Sequence, residues 1–222
     1  MKKMKLSFLV ILTLFLGCNE KVKKTEELAE VQTEEKSREI WTKERANDWY
    51  AEQEWLVGAN FNPSTAINQL EMWQEESFDA ETIDKELGWA ADIGMNTMRV
   101  YLHDLLHKND PEGLYKRMNE YLEIADSHGI STLFVLFDSC WDPFPKAGEQ
   151  RDPEPHVHNS GWVQSPGQEA LKDSTQYPRL ERYVKETIAE FKDDDRILGW
   201  DIWNEPDNTN DRAYGEVELK NK

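Results

Sequence analysis

The chain has 222 residues, enough for one domain with a proper core. Lys and Arg number 26 against 44 Asp and Glu, a net charge of −18, and a surface this acidic repels phosphate backbones, so nucleic acid is excluded as a natural partner. Nine Trp and seven Tyr are a rich aromatic supply for so polar a chain, for core packing or for a carbohydrate cleft.

Lys2, Lys3 and Lys5 precede an apolar run over residues 6–16, and Gly17-Cys18 follows. The run is short for a membrane span and reads as an export signal. A cysteine directly after that glycine resembles a bacterial lipoprotein signal. The resemblance implies removal of residues 1–17, lipidation of Cys18, and a protein anchored to a membrane on its periplasmic or cell-surface side. With Cys18 lipidated, Cys140 has no partner and there is no disulfide framework. Residues 18–40, rich in Lys, Glu and Thr, read as a charged tether.

Residues 41–53 carry Trp41, Ala46, Trp49 and Tyr50 at helical spacing, a helix covering one end of the domain. Strands and helices then alternate. Residues 55–61 form a first strand, and residues 79–95 a helix with Ile83, Leu87, Ala90, Ala91 and Ile93 on one stripe, stopped by Gly94. A second strand spans 97–102. A helix over 111–128 buries Leu114, Met118, Tyr121, Leu122 and Ala125 and ends at Gly129. The third strand, 130–137, is apolar throughout, as strands covered on both faces are. A helix over 177–191 and a fourth strand over 197–204 follow, and 211 onward opens another helix. The loop 138–176 far exceeds the roughly 2–6 residues usual for such connections; long loops on the rim of α/β folds shape substrate clefts.

This rhythm predicts an α/β fold with a parallel sheet, either an open doubly wound sheet or a closed (β/α)8 barrel. The Gly-rich turn that marks the open sheet's phosphate site is missing after the first strand, which runs into Asn60-Phe61-Asn62. Every strand instead ends in polar or aromatic residues: Asn60 and Asn62; Arg99, Tyr101 and His103; Asp138, Trp141 and Asp142; Trp203, Asn204 and Glu205. A ring of functional groups at strand ends is a barrel's habit, and four strands would be its first half.

The fourth strand ends in Trp203-Asn204-Glu205-Pro206, with Arg99 at the end of the second. From about residue 55 to 208 this resembles the retaining glycoside hydrolases of clan A, nearest to the cellulase-type enzymes of family 5. The resemblance implies a TIM barrel of which 41–222 is the N-terminal half. It implies Glu205 as general acid/base, Asn204 on the sugar 2-hydroxyl, and Arg99 beside the charge of a nucleophile. That nucleophile, a Glu at the end of a seventh strand, is not in this sequence. It implies hydrolysis of a β-linked polysaccharide (glucan, mannan or xylan) by double displacement without a cofactor. The fragment by itself is expected to be inactive.

On chemistry alone, burial beside Trp203 would raise the Glu205 carboxyl, as an acid catalyst requires. Other roles stay open: Glu205 as a loop cap, Asn204 as a turn former, and Arg99 paired with Asp201. Trp141, Trp162 and Trp203 are candidate sugar platforms or anchors, and His103 and Tyr101 face the cleft or the core. Two further classes are a carbohydrate-binding protein without the chemistry, and a metal-dependent hydrolase using His156 and His158 with Asp152, Glu154, His103 and His107. Asn204 and Glu205 are sequence neighbours that must reach one sugar, so the pleat is expected to break between Trp203 and Glu205.

Overall fold

A computed structural model describes residues 40–208. The expected signal segment, Cys18 and its lipidation, the tether before residue 40 and the helix from 211 all lie outside those residues. The described residues divide into two compact units, with the boundary between Gln53 and Glu54. In the first, helix α1 (Lys43–Ala51) starts at Thr42, whose hydroxyl accepts from Arg45 N–H. Trp41 and Trp49 meet edge to face, and the Arg45 guanidinium stacks on Trp41. No helix among the described residues is long and apolar enough to cross a membrane.

The second unit runs β1 (Gly58–Phe61), α2 (Gln69–Trp73), α3 (Ala80–Asp92), β2 (Thr97–Tyr101), α4 (Asp104–Asn109), α5 (Pro111–Ser127), β3 (Ser131–Asp138), α6 (Gln168–Lys172), α7 (Tyr177–Phe191) and β4 (Ile197–Asn204). The four strands are parallel in the order β1-β2-β3-β4. A doubly wound sheet reverses strand order at its switch point; no reversal occurs among these strands. The α/β class and the parallel sheet therefore stand as read, while closure into a barrel is not seen in four strands. Gly94 and Gly129 end α3 and α5 at positive φ (89° and 69°), which only glycine adopts cheaply.

Strand alternation sorts the sheet. Met98, Val100, Phe134 and Leu136 join one apolar cluster with Ile83 and Leu87 of α3, Leu114 and Tyr121 of α5, and Tyr183 of α7. Phe134 lies against Tyr121 and stacks on Trp200. The alternate positions Asn60, Arg99, Tyr101 and Asp201 converge instead on a polar cluster at the carboxyl ends of the strands.

Three short helices lie where no helix was expected. In α2, Asn68 caps two backbone N–H groups, and Trp73 is fully buried with its indole N–H on Tyr101 O. α4 is capped by His103. α6 lies within the long connection, which is pinned by buried polar contacts: Gln69 to Val163 O (2.6 Å), Asn68 to Gly161 O (2.8 Å) and Gln164 to Ser139 O (2.6 Å). The strand expected from residue 55 begins at Gly58, and Trp55, Leu56 and Val57 are exposed.

Candidate active site at the strand ends

Arg99 is the hub. Its Nε and Nη2 donate to Asp201 Oδ2, and Nη2 also donates to Asn204 Oδ1 (3.0 Å). Nη1 donates to Asn60 Oδ1 (3.3 Å) and to the Tyr101 hydroxyl. The pairing with Asp201 left open on sequence grounds is thus present, and the contact with Asn204 is present beside it. Tyr101 has its phenol pushed up to about 12, chiefly by burial.

Asn204 is clamped at both ends. While its carbonyl oxygen takes the Arg99 proton, its Nδ2 donates to Asp138 Oδ1 (2.8 Å). Asp138 is 1% exposed. Its Oδ1 also accepts the Cys140 N–H (3.1 Å), and its Oδ2 has no hydrogen-bond partner. Burial pushes this carboxyl up to about 6, against the lowering effect of the Asn204 and Cys140 donors.

Glu205 follows directly on β4, with φ of 48°, off the strand conformation. Asp201 and Asn204, three residues apart, both meet Arg99, so strict alternation is lost before the strand ends. Asn204 and Glu205 also share a side: Cys140 Sγ donates to Glu205 Oε2 at 3.2 Å and lies 3.8 Å from Asn204 Nδ2. The expected pleat break is there, taken up by left-handed backbone at Glu205.

The electrostatics of Glu205 differ from expectation. Its side chain is exposed rather than buried beside Trp203. Donors from Cys140 and then Asn208 (2.6 Å), with the Arg99 charge, hold its carboxyl below the usual range. These donors come from the β3 rim and from three residues downstream, where sequence gave no sign of them.

Two expected sugar contacts are corrected. His103 is fully buried; its Nδ1 accepts the Leu105 N–H (3.1 Å), capping α4, and its Nε2 donates to Gln164 O (2.8 Å). Its neighbour Asp104 accepts from Ser165 (3.1 Å) and Arg179 (2.7 Å), so this end of β2 ties α7 to the long loop. Trp203 donates its indole N–H to Ser139 Oγ (2.7 Å), and its ring packs on Phe137, which in turn meets Tyr183 of α7. That places it on the helix side of the sheet, away from Arg99. Trp141 is half-buried at the rim at φ 76°, edge-on to His158, and Trp162 lies edge-on to Tyr101.

The histidines do not assemble a metal site. His107 pairs with Glu186 (3.1 Å), His158 lies against Trp141, and His103 is spent on Gln164. Among the described residues no group of three or more His, Cys, Asp or Glu could hold a metal ion.

No family model and no curated protein matches the chain. The solved structures it resembles include family 5 glycoside hydrolases of clan A, mannanases among them. The β-mannanase of the blue mussel Mytilus edulis is 19% identical over 68% of this chain and 41% of its own, with a TM-score of 0.44. The endo-1,4-β-mannanase of Rhizomucor miehei is 18% identical over 65% and 44%, with a TM-score of 0.42. GH5_18 of Streptomyces cattleya in complex with GlcNAc is 12% identical over 67% and 33%, with a TM-score of 0.43. The chain spans less than half the length of each of these proteins, and at such identities no residue role transfers from them.

Proposed function

We propose that this chain is the N-terminal half of a (β/α)8-barrel glycoside hydrolase acting on β-linked polysaccharide with retention. Glu205 serves as general acid/base, Asn204 binds the sugar hydroxyl next to the anomeric carbon, and Trp141 lines the cleft. The nucleophile comes from a carboxylate outside this sequence, and the chemistry calls for no cofactor. The protein is exported and held at a membrane by a lipid on Cys18.

The observation that carries the reading is the turn at Glu205. It brings the carboxylate and the Asn204 carboxamide to one side at the carboxyl ends of the strands, joined through Cys140. One sugar can meet both groups there. Asn204 is oriented for the task, since Arg99 fixes its oxygen and Asp138 one of its N–H groups. Retaining chemistry places two carboxyl groups about 5–5.5 Å apart, and the charge of the second raises the first.

A second reading, a carbohydrate-binding protein without hydrolysis, is favoured by one observation. Glu205 is exposed and held below the usual carboxylate range, hence ionised at neutral pH. An acid needs its proton, so catalysis requires that second carboxylate.

The test is Glu205→Ala in the full-length protein. Turnover of unactivated β-glucan, β-mannan or xylan should fall by about 10²–10⁴-fold. Aryl glycosides, whose leaving group needs no proton, should lose less and be rescued by azide. Equal, small losses on both substrate types would remove Glu205 from the role; binding without turnover in the parent would favour the second reading.

A further inference from the structure

Glu205 meets a group that neither the motif nor its sequence neighbours announce. Cys140 stands two residues beyond β3, on a segment stitched to the end of β4. Asp138 pairs with Asn204 in the sheet register, Ser139 N–H donates to Asn204 O (3.2 Å), and Asp138 Oδ1 accepts the Cys140 N–H. These bonds fix the Cys140 backbone relative to the residue just before Glu205.

Cys140 is 5% exposed, and its thiol is surrounded by polar groups. Asn208 Nδ2 donates to Sγ at 3.2 Å, and Sγ–H donates to Glu205 Oε2 at 3.2 Å. Asn208 Nδ2 also reaches that same oxygen at 2.6 Å. Both donors converge on Oε2, so a proton carried by this carboxyl belongs on Oε1.

We propose that Cys140 is a positioning residue for Glu205: its thiol, with Asn208, engages Oε2 and turns Oε1 toward the substrate. The proposal rests on the reading of Glu205 as acid/base. The buried thiol stays protonated, since burial and then the Asp138 and Glu205 charges push its pKa upward, so it acts as a donor and not as a nucleophile.

A hydrogen bond to the charged form lowers a carboxyl pKa, so losing the donor must raise it. The experiment follows Glu205 by 13C side-chain carboxyl NMR in the full-length protein, with the resonance assigned through its loss in Glu205→Gln. Cys140→Ala should raise the Glu205 midpoint by about one pH unit, the scale of one hydrogen bond to a charged group. Cys140→Ser keeps a hydroxyl donor and should leave the midpoint at or below the parent value. With activity as readout, the basic limb of the kcat/KM profile should move up in Cys140→Ala, and kcat should fall up to about 10²-fold with little change in KM. A midpoint unmoved in folded Cys140→Ala overturns the proposal.

Should Cys140→Ala fail to fold, the thiol itself reports. In a Cys18→Ser background, alkylation of Cys140 should run roughly 3-fold faster in Glu205→Gln, because a neutral neighbour lowers the thiol pKa by about one unit. An unchanged rate overturns the contact. A shifted midpoint in a protein that turns over no β-glycan would uphold the contact and end the glycosidase reading. Intact turnover with an unmoved midpoint would end the Cys140 proposal alone.

Discussion

Asp138→Asn should stabilise this protein at neutral pH, although it removes a charge from the centre of the candidate site. Asp138 is buried, and its two oxygens are treated unequally: Oδ1 accepts from Asn204 and Cys140, while Oδ2 has no partner. An ionised carboxylate there is only half satisfied, which is why burial pushes the group from 3.8 to about 6. A pKa raised on folding means that the folded state binds the proton more tightly. Its stabilising contribution is full below about pH 4 and is lost as pH rises through about 6. The shift of about two units corresponds to about 3 kcal/mol. Asn at 138 keeps the Oδ1 acceptor and mimics the protonated acid, so it escapes that loss. Relative to the parent, the variant should be close to neutral at pH 4 and up to about 3 kcal/mol more stable at pH 7.5. At typical urea m-values this is a midpoint shift of roughly 1–2 M. Urea unfolding of both full-length proteins between pH 4 and 7.5 reads the difference, in which titrating groups away from Asp138 cancel. A difference that stays constant across that range, or that favours the parent at pH 7.5, would refute the reasoning.

Arg99→Met should leave Asp201 Oδ2 and the Asn204 oxygen without their Arg99 donor, while Asp201 Oδ1 keeps the Trp203 N–H. Since Arg99 and Asp201 are each about a quarter exposed, water compensates in part, and the expected loss is about 1–3 kcal/mol in urea unfolding. Activity should fall by more than the folded fraction does, because the Asn204 carboxamide is then held at one end only, by Asp138. His103→Ala should cost about 2–4 kcal/mol through the lost α4 cap, the lost bond to Gln164 and the cavity left behind. KM per folded molecule should stay unchanged; a raised KM with unchanged stability would return His103 to the cleft.

Much of the sheet was legible because strands of a covered parallel sheet are short apolar-rich runs, broken within β2, β3 and β4 only by Arg99 and Asp201. β2, β3 and β4 lie where those runs are, and α5 and α7 match their apolar stripes to within a residue or so. The short helices α2, α4 and α6 were not legible, since five or six residues are too few to display a helical period. The site was legible in its rim and not in its facing directions. Period-2 alternation cannot assign sides where the pleat breaks, so Trp203, adjacent to Asn204, turns to the α7 side, while Asn204 and Glu205 meet at Cys140. His103 read as a rim group because it follows a strand; that its ring caps the next helix depends on Leu105 and Gln164, the latter 61 residues away. Cys140 meets Glu205 across 65 residues, a contact that no local pattern encodes.

The last expectation concerns the open side of β4. Among the described strands β4 pairs with β3 alone, and its outward N–H and C=O groups face nothing in the sheet. Its residues are half-buried or exposed throughout, with Ile202 49% exposed. Beside it Phe137, Pro166, Leu171, Leu180, Val184 and Trp203 border an apolar groove of about 220 Å³. Natural edges are guarded by Lys, Pro or inward charges; residues 197–204 hold neither Lys nor Pro, and their one charge, Asp201, is engaged by Arg99. The net charge of −18 slows encounter but cannot pair a strand. Residues 18–222 expressed alone should therefore be dimeric, aggregated or molten, bind apolar dyes, and show no glycosidase activity. Ile202→Lys, which places a guard on the edge, should shift that material toward monomer. Size-exclusion chromatography with dye binding, and assays on soluble β-glucan, β-mannan and xylan, decide the matter. A compact monomer that unfolds cooperatively would count against an incomplete barrel. Turnover by residues 18–222 would count more heavily, since the second carboxylate would then have to lie within this sequence, with Asp138 and Asp201 the first to be replaced.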